Sequence, residues 1–268
     1  MKTRFFDGQK PRMFAHRGAS GAAPENTLVA FEMAVGAGAD ILEMDVYATR
    51  DGHIIVMHDD LLERTTNGKG SASQITLAEL GRLDAGYWFT PDKGKNYPYR
   101  GKGIQVPTLR EVIERFPNVP FNIEIKQNEP KIERATFELL KQLGHADITL
   151  LASEQDFLIE RIRPLNPGLP TNFCSSEVLD FLQRLHQNRW SDYDPSGEAL
   201  QIPEHYYDIP VLTPSLLEAA HRLGIEVHAW TINEEAEMRR LLKMGVDGIM
   251  TDYPERLTRV VRQMGFRK

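Results

Sequence analysis

The chain has a single cysteine, Cys174, among 268 residues. That excludes an intrachain disulfide and any cysteine-built zinc site. Cys174 closes an apparent strand, Thr171-Asn172-Phe173-Cys174, and is expected to be a small buried apolar residue. No run of about 18 apolar residues occurs, so no membrane-spanning helix is expected. Basic residues are not in excess: 32 Lys and Arg stand against 38 Asp and Glu, a net charge of −6, with no Lys/Arg cluster. A chain that tracks nucleic-acid phosphates needs a basic face, and this one lacks it. The N-terminal residues, Met1 to Gly8, carry no apolar segment of the signal-peptide kind. A soluble, cytoplasmic protein with a small-molecule substrate is the expectation from these absences. Internal repeats and low-complexity tracts are missing too.

What the chain does have is a hydrophobic content of 41%, enough for a substantial core, and short apolar stretches at regular intervals. Strands are predicted at 13–16, 41–46, 121–126, 148–153, 171–174, 199–202, 226–232 and 248–251. Helical stretches separate them. Thr108-Leu109-Arg110-Glu111 is a capping box, Thr213-Pro214 starts a helix that Gly224 ends, and Asn233-Glu234-Glu235 starts one that Gly245 ends. Eight strands alternating with helices predict an α/β fold of the (β/α)8 TIM-barrel kind. One catalytic domain over 1–268 is expected. Residues 59–107 are rich in Gly and Pro and lack a clear strand–helix unit, so they read as a small inserted subdomain over the barrel mouth. Residues 186–198 read as a surface loop.

The densest chemical signal is Glu43-Met44-Asp45. On a strand, residues two apart share a face, so two carboxylates lie side by side. Such a pair persists at low cost only with positive charge between its members. Asp51-Gly52 then signals a two-residue hairpin turn. If Arg50 pairs with His53 across it, Asp45 pairs with His58, and a histidine joins the carboxylates. The bland alternative is a wetted edge strand with His58 on the surface.

In a barrel the working residues sit at the C-terminal strand ends. That rule gathers His16 and Arg17, Glu43 and Asp45, Glu124 and Lys126, and Trp230 around one mouth. Three carboxylates without cysteine suit a hard divalent cation, Mg²⁺ or Ca²⁺. Arg17 and Lys126 suit an anion such as phosphate. His16 and His58 suit general acid and base roles near neutral pH. The combination describes metal-dependent cleavage of a phosphodiester. Each residue also has a plain structural role open to it: Lys126 could bridge Glu124, and Trp230 could belong to the core. His228 is expected to be a core or supporting residue.

These segments resemble the glycerophosphodiester phosphodiesterases. The resemblance runs through His16-Arg17-Gly18, Pro24-Glu25-Asn26-Thr27, Glu43-Met44-Asp45-Val46, Asp51-Gly52, His58-Asp59 and Arg64-Thr65-Thr66. It continues through Leu83-Asp84-Ala85-Gly86, Asn122-Ile123-Glu124-Ile125-Lys126, Trp230-Thr231-Ile232-Asn233 and Gly245-Val246-Asp247-Gly248-Ile249. It implies a (β/α)8 barrel with an insertion after the second strand's hairpin. It also implies Glu43, Asp45 and Glu124 as metal ligands, His16 and His58 as acid/base catalysts, and Arg17 with Lys126 on the phosphate. The implied reaction yields glycerol 3-phosphate and an alcohol. The stretch from Ala199 to Asp252 is similar to the branch that includes lysophospholipase D-like members, which makes a lysophospholipid the alternative substrate. A non-catalytic binder of phosphate ligands is a rival of another class; loss of a ligand or histidine would mark it, and none is lost. A metal-dependent lyase would need a lysine base in place of the two histidines.

Overall fold

Eight stretches of chain lie side by side and close into a ring in the computed structural model, which describes residues 3–267. In chain order the elements are β1 (Arg12–Ala15), α1 (Leu28–Gly36), β2 (Ile41–Ala48), β3 (Ile54–Val56), α2 (Leu77–Leu80), α3 (Leu109–Arg115), β4 (Phe121–Ile125) and α4 (Glu133–Gln142). There follow β5 (Thr149–Ala152), α5 (Asp156–Ile162), α6 (Ser175–Gln187), β6 (Ala199–Pro203), β7 (His205–Tyr206), β8 (Ile209–Pro210) and α7 (Pro214–Arg222). The chain ends with β9 (Glu226–Trp230), α8 (Glu235–Met244), β10 (Gly248–Thr251) and α9 (Pro254–Gln263). The parallel order β5-β4-β2-β1-β10-β9-β6 is joined at its ends by two single bridges, Leu151 to Thr171 and Asn172 to Ala199. The fold is thus a (β/α)8 barrel, as predicted. The fifth predicted strand is reduced to those bridges, and Cys174 stands at the N-terminus of α6, buried as expected.

Side-chain parity sorts the barrel into layers. Along β2 the even positions Leu42, Met44 and Val46 face outward, where they pack with Phe31 of α1 and Val112 and Ile113 of α3. The odd positions face inward. Ile41 joins Phe14, Leu150, Ala199 and Met250 in an apolar plug, while Glu43 and Asp45 occupy the mouth. The helices are held at the predicted signals. Thr108 and Glu111 form a reciprocal capping box, Thr213 caps α7, and Gly245 ends α8 in the left-handed conformation.

The hairpin departs from its predicted register by one residue. Val46 faces Val56, Tyr47 faces Ile55 and Ala48 faces Ile54, while the Thr49 amide donates to the His53 carbonyl at 3.0 Å. The loop therefore has three residues, not two, and Gly52 closes it at φ +82°. Only glycine takes that conformation without strain, and such loops are built this way. Asp45 faces Met57, whose amide donates to the Asp45 carbonyl at 2.9 Å. His58 reaches the mouth for another reason: the chain leaves the ladder after Met57 and turns over the barrel end. Residues 59–107 follow, gathering Leu62, Ala72, Leu80, Ala85 and Val106 around Ile55 and Met57.

A buried ion pair locks the bottom of the barrel. Arg12, 2% exposed, donates through Nε to Glu226 Oε2 at 2.7 Å and through Nη2 to Oε1 at 2.9 Å. Removing one partner strands a buried charge. Glu226→Ala is expected to lower unfolding free energy by about 3–5 kcal/mol, read from urea midpoints at constant slope.

Candidate active site

The turn after β1 is the most constrained piece of backbone near the mouth. Arg17 sits at φ +55° and Gly18 at φ +83°. A Cβ on Gly18 would come within 2.7 Å of the Ala30 carbonyl carbon, so α1 can approach only because that atom is missing. The reward is that the Arg17 amide donates to Glu43 Oε2 at 2.8 Å, while its Nε lies 3.2 Å from Asp45 Oδ2. Glu25 receives Arg17 Nη1 at 3.0 Å. Asn26 donates from Nδ2 to Asp45 Oδ2 at 3.0 Å.

Glu43, Asp45 and Glu124 each present an oxygen within 4.8 Å of the others. Asp45 and Glu124 are directly paired across β2 and β4, which explains their convergence. Lys126 Nζ lies 2.7 Å from Glu124 Oε1 and 3.5 Å from Asp45 Oδ1. Burial, then the charge of Asp45, pushes the Glu43 pKa up to about 8. Burial likewise pushes Glu124 up to about 7, against the pull of Lys126. The cluster thus remains short of positive charge even with Arg17 and Lys126 beside it. Three hard oxygen donors so placed fit a divalent cation.

The two histidines are framed alike. His16 Nδ1 lies 2.7 Å from Asp252 Oδ1, and His58 Nδ1 lies 2.7 Å from Asp59 Oδ1. In each, Nε2 is left for other work. Burial opposes charge on His16, but the Asp252 hydrogen bond and the charge of Glu43 outweigh it and raise its pKa. Asp252 is itself fixed by Ser20 Oγ at 2.9 Å and Asn233 Nδ2 at 2.7 Å. Asp59 is held by Arg64, which also donates twice to Glu25 at 2.7 Å.

His16, Arg17, Glu43, His58, Glu124, Lys126 and Trp230 all line one cavity of about 180 Å³. Asp45 lies just beneath, 1% exposed, in the carboxylate cluster. All eight residues singled out in the sequence therefore meet at the mouth. Trp230 is half-buried and serves both the cavity wall and the apolar plug. His228 is fully buried, as expected. Sequence reasoning missed the carboxylates behind the histidines, Asp252 and Asp59, and the Arg64–Glu25 link. It also missed Asn122 and Gln201 in the cavity wall. Asp252 follows directly on a barrel strand, so the strand-end rule could have found it.

A parallel barrel whose mouth joins buried carboxylates, two carboxylate-backed histidines and two cations defines a site for an anionic, oxygen-rich substrate. The model of the glycerophosphoryl diester phosphodiesterase family matches residues 16–256, and the chain belongs to that family. A glycerophosphodiester phosphodiesterase of Caldanaerobacter subterraneus subsp. tengcongensis is 34% identical, covering 96% of this chain and 100% of the relative. The human lysophospholipase D GDPD1 is 29% identical over 91% of this chain and 83% of its own. Among solved structures, an Oleispira antarctica phosphodiesterase in complex with the product sn-glycerol-3-phosphate superposes with a TM-score of 0.76 and 31% identity, covering 94% of this chain and 97% of that one.

The raised carboxyl pKa values make stability depend on pH. With Glu43 and Glu124 near 8 and 7 when folded and near 4.5 when unfolded, the folded state binds more protons between those limits. Ion-free protein is therefore expected to lose stability as pH rises from about 5 to 8. His16 acts in the same direction, since its raised pKa stabilises only below the folded value. Melting temperatures across that range check this, and Glu43→Gln should flatten the slope.

Proposed function

We propose that the protein hydrolyses glycerophosphodiesters to glycerol 3-phosphate and an alcohol, with a divalent cation at the mouth and two histidines moving protons. The observation that carries the reading is the convergence of Glu43, Asp45 and Glu124 with His16 and His58 on one small cavity. At about 180 Å³ it lies below the ~300–1,000 Å³ usual for drug-sized ligands and suits a phosphorylated three-carbon unit.

Glu43, Asp45 and Glu124 would hold the cation. Bound there, Mg²⁺ or Ca²⁺ would supply positive charge to the phosphoryl oxygens. Arg17 and Lys126 are the side chains that add to that charge and orient the phosphate. Asp252 and Asp59 accept the Nδ1 hydrogens of His16 and His58, which fixes each tautomer and leaves Nε2 able to take or give a proton. One histidine takes the proton from the nucleophile and the other delivers one to the departing alkoxide. The nucleophile is water or a hydroxyl of the substrate's own glycerol.

A second reading is lysophospholipase D. It is favoured by an open groove beside His58 and Lys126, walled by Tyr47 and the exposed Leu61, which could take an apolar chain. Assays of glycerophosphodiesters and lysophospholipids with Mg²⁺ and with Ca²⁺ separate the two.

Chelation is expected to abolish turnover and the cation to restore it; full activity after exhaustive chelation would refute the metal site. Arg17→Ala and Lys126→Ala should each raise KM. His16→Ala and His58→Ala should each lower kcat by about 10²–10⁴-fold with little change in Tm. A nitrophenyl leaving group should rescue only the variant that lacks the acid. Near-wild-type turnover of a natural diester by either variant would sink the two-histidine mechanism.

A further inference from the structure

Beneath the carboxylate cluster a chain of buried polar groups crosses the barrel, and the reaction proposed above does not use it. It begins at Glu226, whose carboxylate takes Arg12 Nε at 2.7 Å and Lys10 Nζ at 3.1 Å. The hydrogen bonds from Arg12 and His228 outweigh burial and hold its pKa far below the usual carboxylate range, so Glu226 is ionised and can only accept. His228 Nε2 lies 3.1 Å from Glu226 Oε2, so that nitrogen carries the hydrogen. Gln201 Nε2 faces His228 Nδ1 at 3.3 Å, so the amide donates and that ring nitrogen accepts. The same Gln201 nitrogen lies 2.7 Å from Asn122 Oδ1. Both hydrogens of the Gln201 amide are thereby spent inside the chain.

Two atoms are left over. Gln201 Oε1 and Asn122 Nδ2 have no hydrogen-bond partner among the described residues, and neither is among the sealed, unpartnered atoms. Both residues line the cavity that holds the histidines. Asn122 sits on β4 two residues before Glu124, on the same inward face and one step deeper. The floor below the proposed phosphate position therefore offers one acceptor and one donor, and the contacts of Gln201 Nε2 with His228 and Asn122 set which is which. A hydroxyl both donates and accepts.

We propose that Gln201 Oε1 and Asn122 Nδ2 bind the hydroxyls of the substrate's glycerol unit, and that His228 with Glu226 are positioning residues that hold the two amides in the required orientation. This rests on the phosphodiesterase reading of the site. It makes the floor a selector for a polyol on one side of the phosphorus, whatever alcohol leaves on the other. A buried amide left without its partner penalises any analogue lacking the hydroxyl.

The test compares glycerophosphocholine with propylphosphocholine, which lacks both free hydroxyls. Wild type should favour the former in kcat/KM by on the order of 10²-fold or more. Gln201→Leu and Asn122→Leu should collapse that ratio to within a few-fold, with the loss mainly in KM for glycerophosphocholine. His228→Leu should do the same, whereas His228→Asn, which can again present an acceptor near the Nδ1 position, should restore the ratio. Calorimetric binding of glycerol 3-phosphate against propyl phosphate reads the same selectivity without turnover, so a folding check and a binding answer are available for every variant. Binding selectivity for glycerol 3-phosphate over propyl phosphate retained by Gln201→Leu and Asn122→Leu would overturn the inference, as would equal binding of the two phosphates by wild type. Absence of diester hydrolysis with intact selectivity for glycerol 3-phosphate would instead overturn the phosphodiesterase reading alone.

Discussion

The concentration of negative charge at one end of a barrel is the constraint on which the rest of this structure turns. Glu43 and Asp45 are almost fully buried, 3% and 1% exposed, with Glu124 beside them. Charges in such a place are costly unless compensated. Much of the surrounding architecture serves to compensate them. The left-handed turn at Arg17 aims one amide and one guanidinium at the pair, Asn26 adds a hydrogen bond, and Lys126 spans Glu124 and Asp45. The compensation is incomplete, and that shortfall is why we propose a cation there.

The fold was readable because barrel units repeat two signals that depend on local chemistry alone: short apolar strands, and helices opened and closed by caps. Thr108 with Glu111, Thr213 and Gly245 all act where the sequence put them. The positions of the proposed site residues were readable for a related reason. Strand-end position and period-2 spacing are properties of the chain itself, and they place Glu43, Asp45, Glu124 and Lys126 without any knowledge of partners. The hairpin register was not readable. Asp51-Gly52 serves a two-residue and a three-residue loop equally well, and the choice depends on the Thr49–His53 hydrogen bond. His58 was thus placed at the mouth by an incorrect register. What the sequence hid altogether was pairing over long separations. His16 with Asp252, Arg64 with Glu25, and Asn122 with Gln201 are 236, 39 and 79 residues apart.

The two histidines differ in how they are anchored. His16 hangs from the barrel: its amide continues the ladder to Thr251, and its partner Asp252 comes from the strand next door. His58 belongs to the hairpin's exit, and its partner Asp59 is fixed to the barrel mainly through Arg64 and Glu25. Glu25 also takes Arg17, so one carboxylate joins the first turn of the barrel to the inserted segment.

That division of labour bears on how such a protein can diverge. The carboxylates, Arg17, Lys126 and His16 are all carried by barrel strands or their first turns, and residues 65–107 supply none of them. His58 precedes the inserted segment, and Asp59 and Arg64 are its first residues at the mouth. The remainder of the segment packs Ala72, Leu80, Ala85 and Val106 on Ile55 and Met57 and adds no side chain to the cavity wall, so its exposed turns can vary in length and sequence without moving the mouth residues. A change in that segment would thus reach the mouth only through the few contacts that tie it to the hairpin, and the barrel strands would keep the carboxylates and the two cationic side chains where they are.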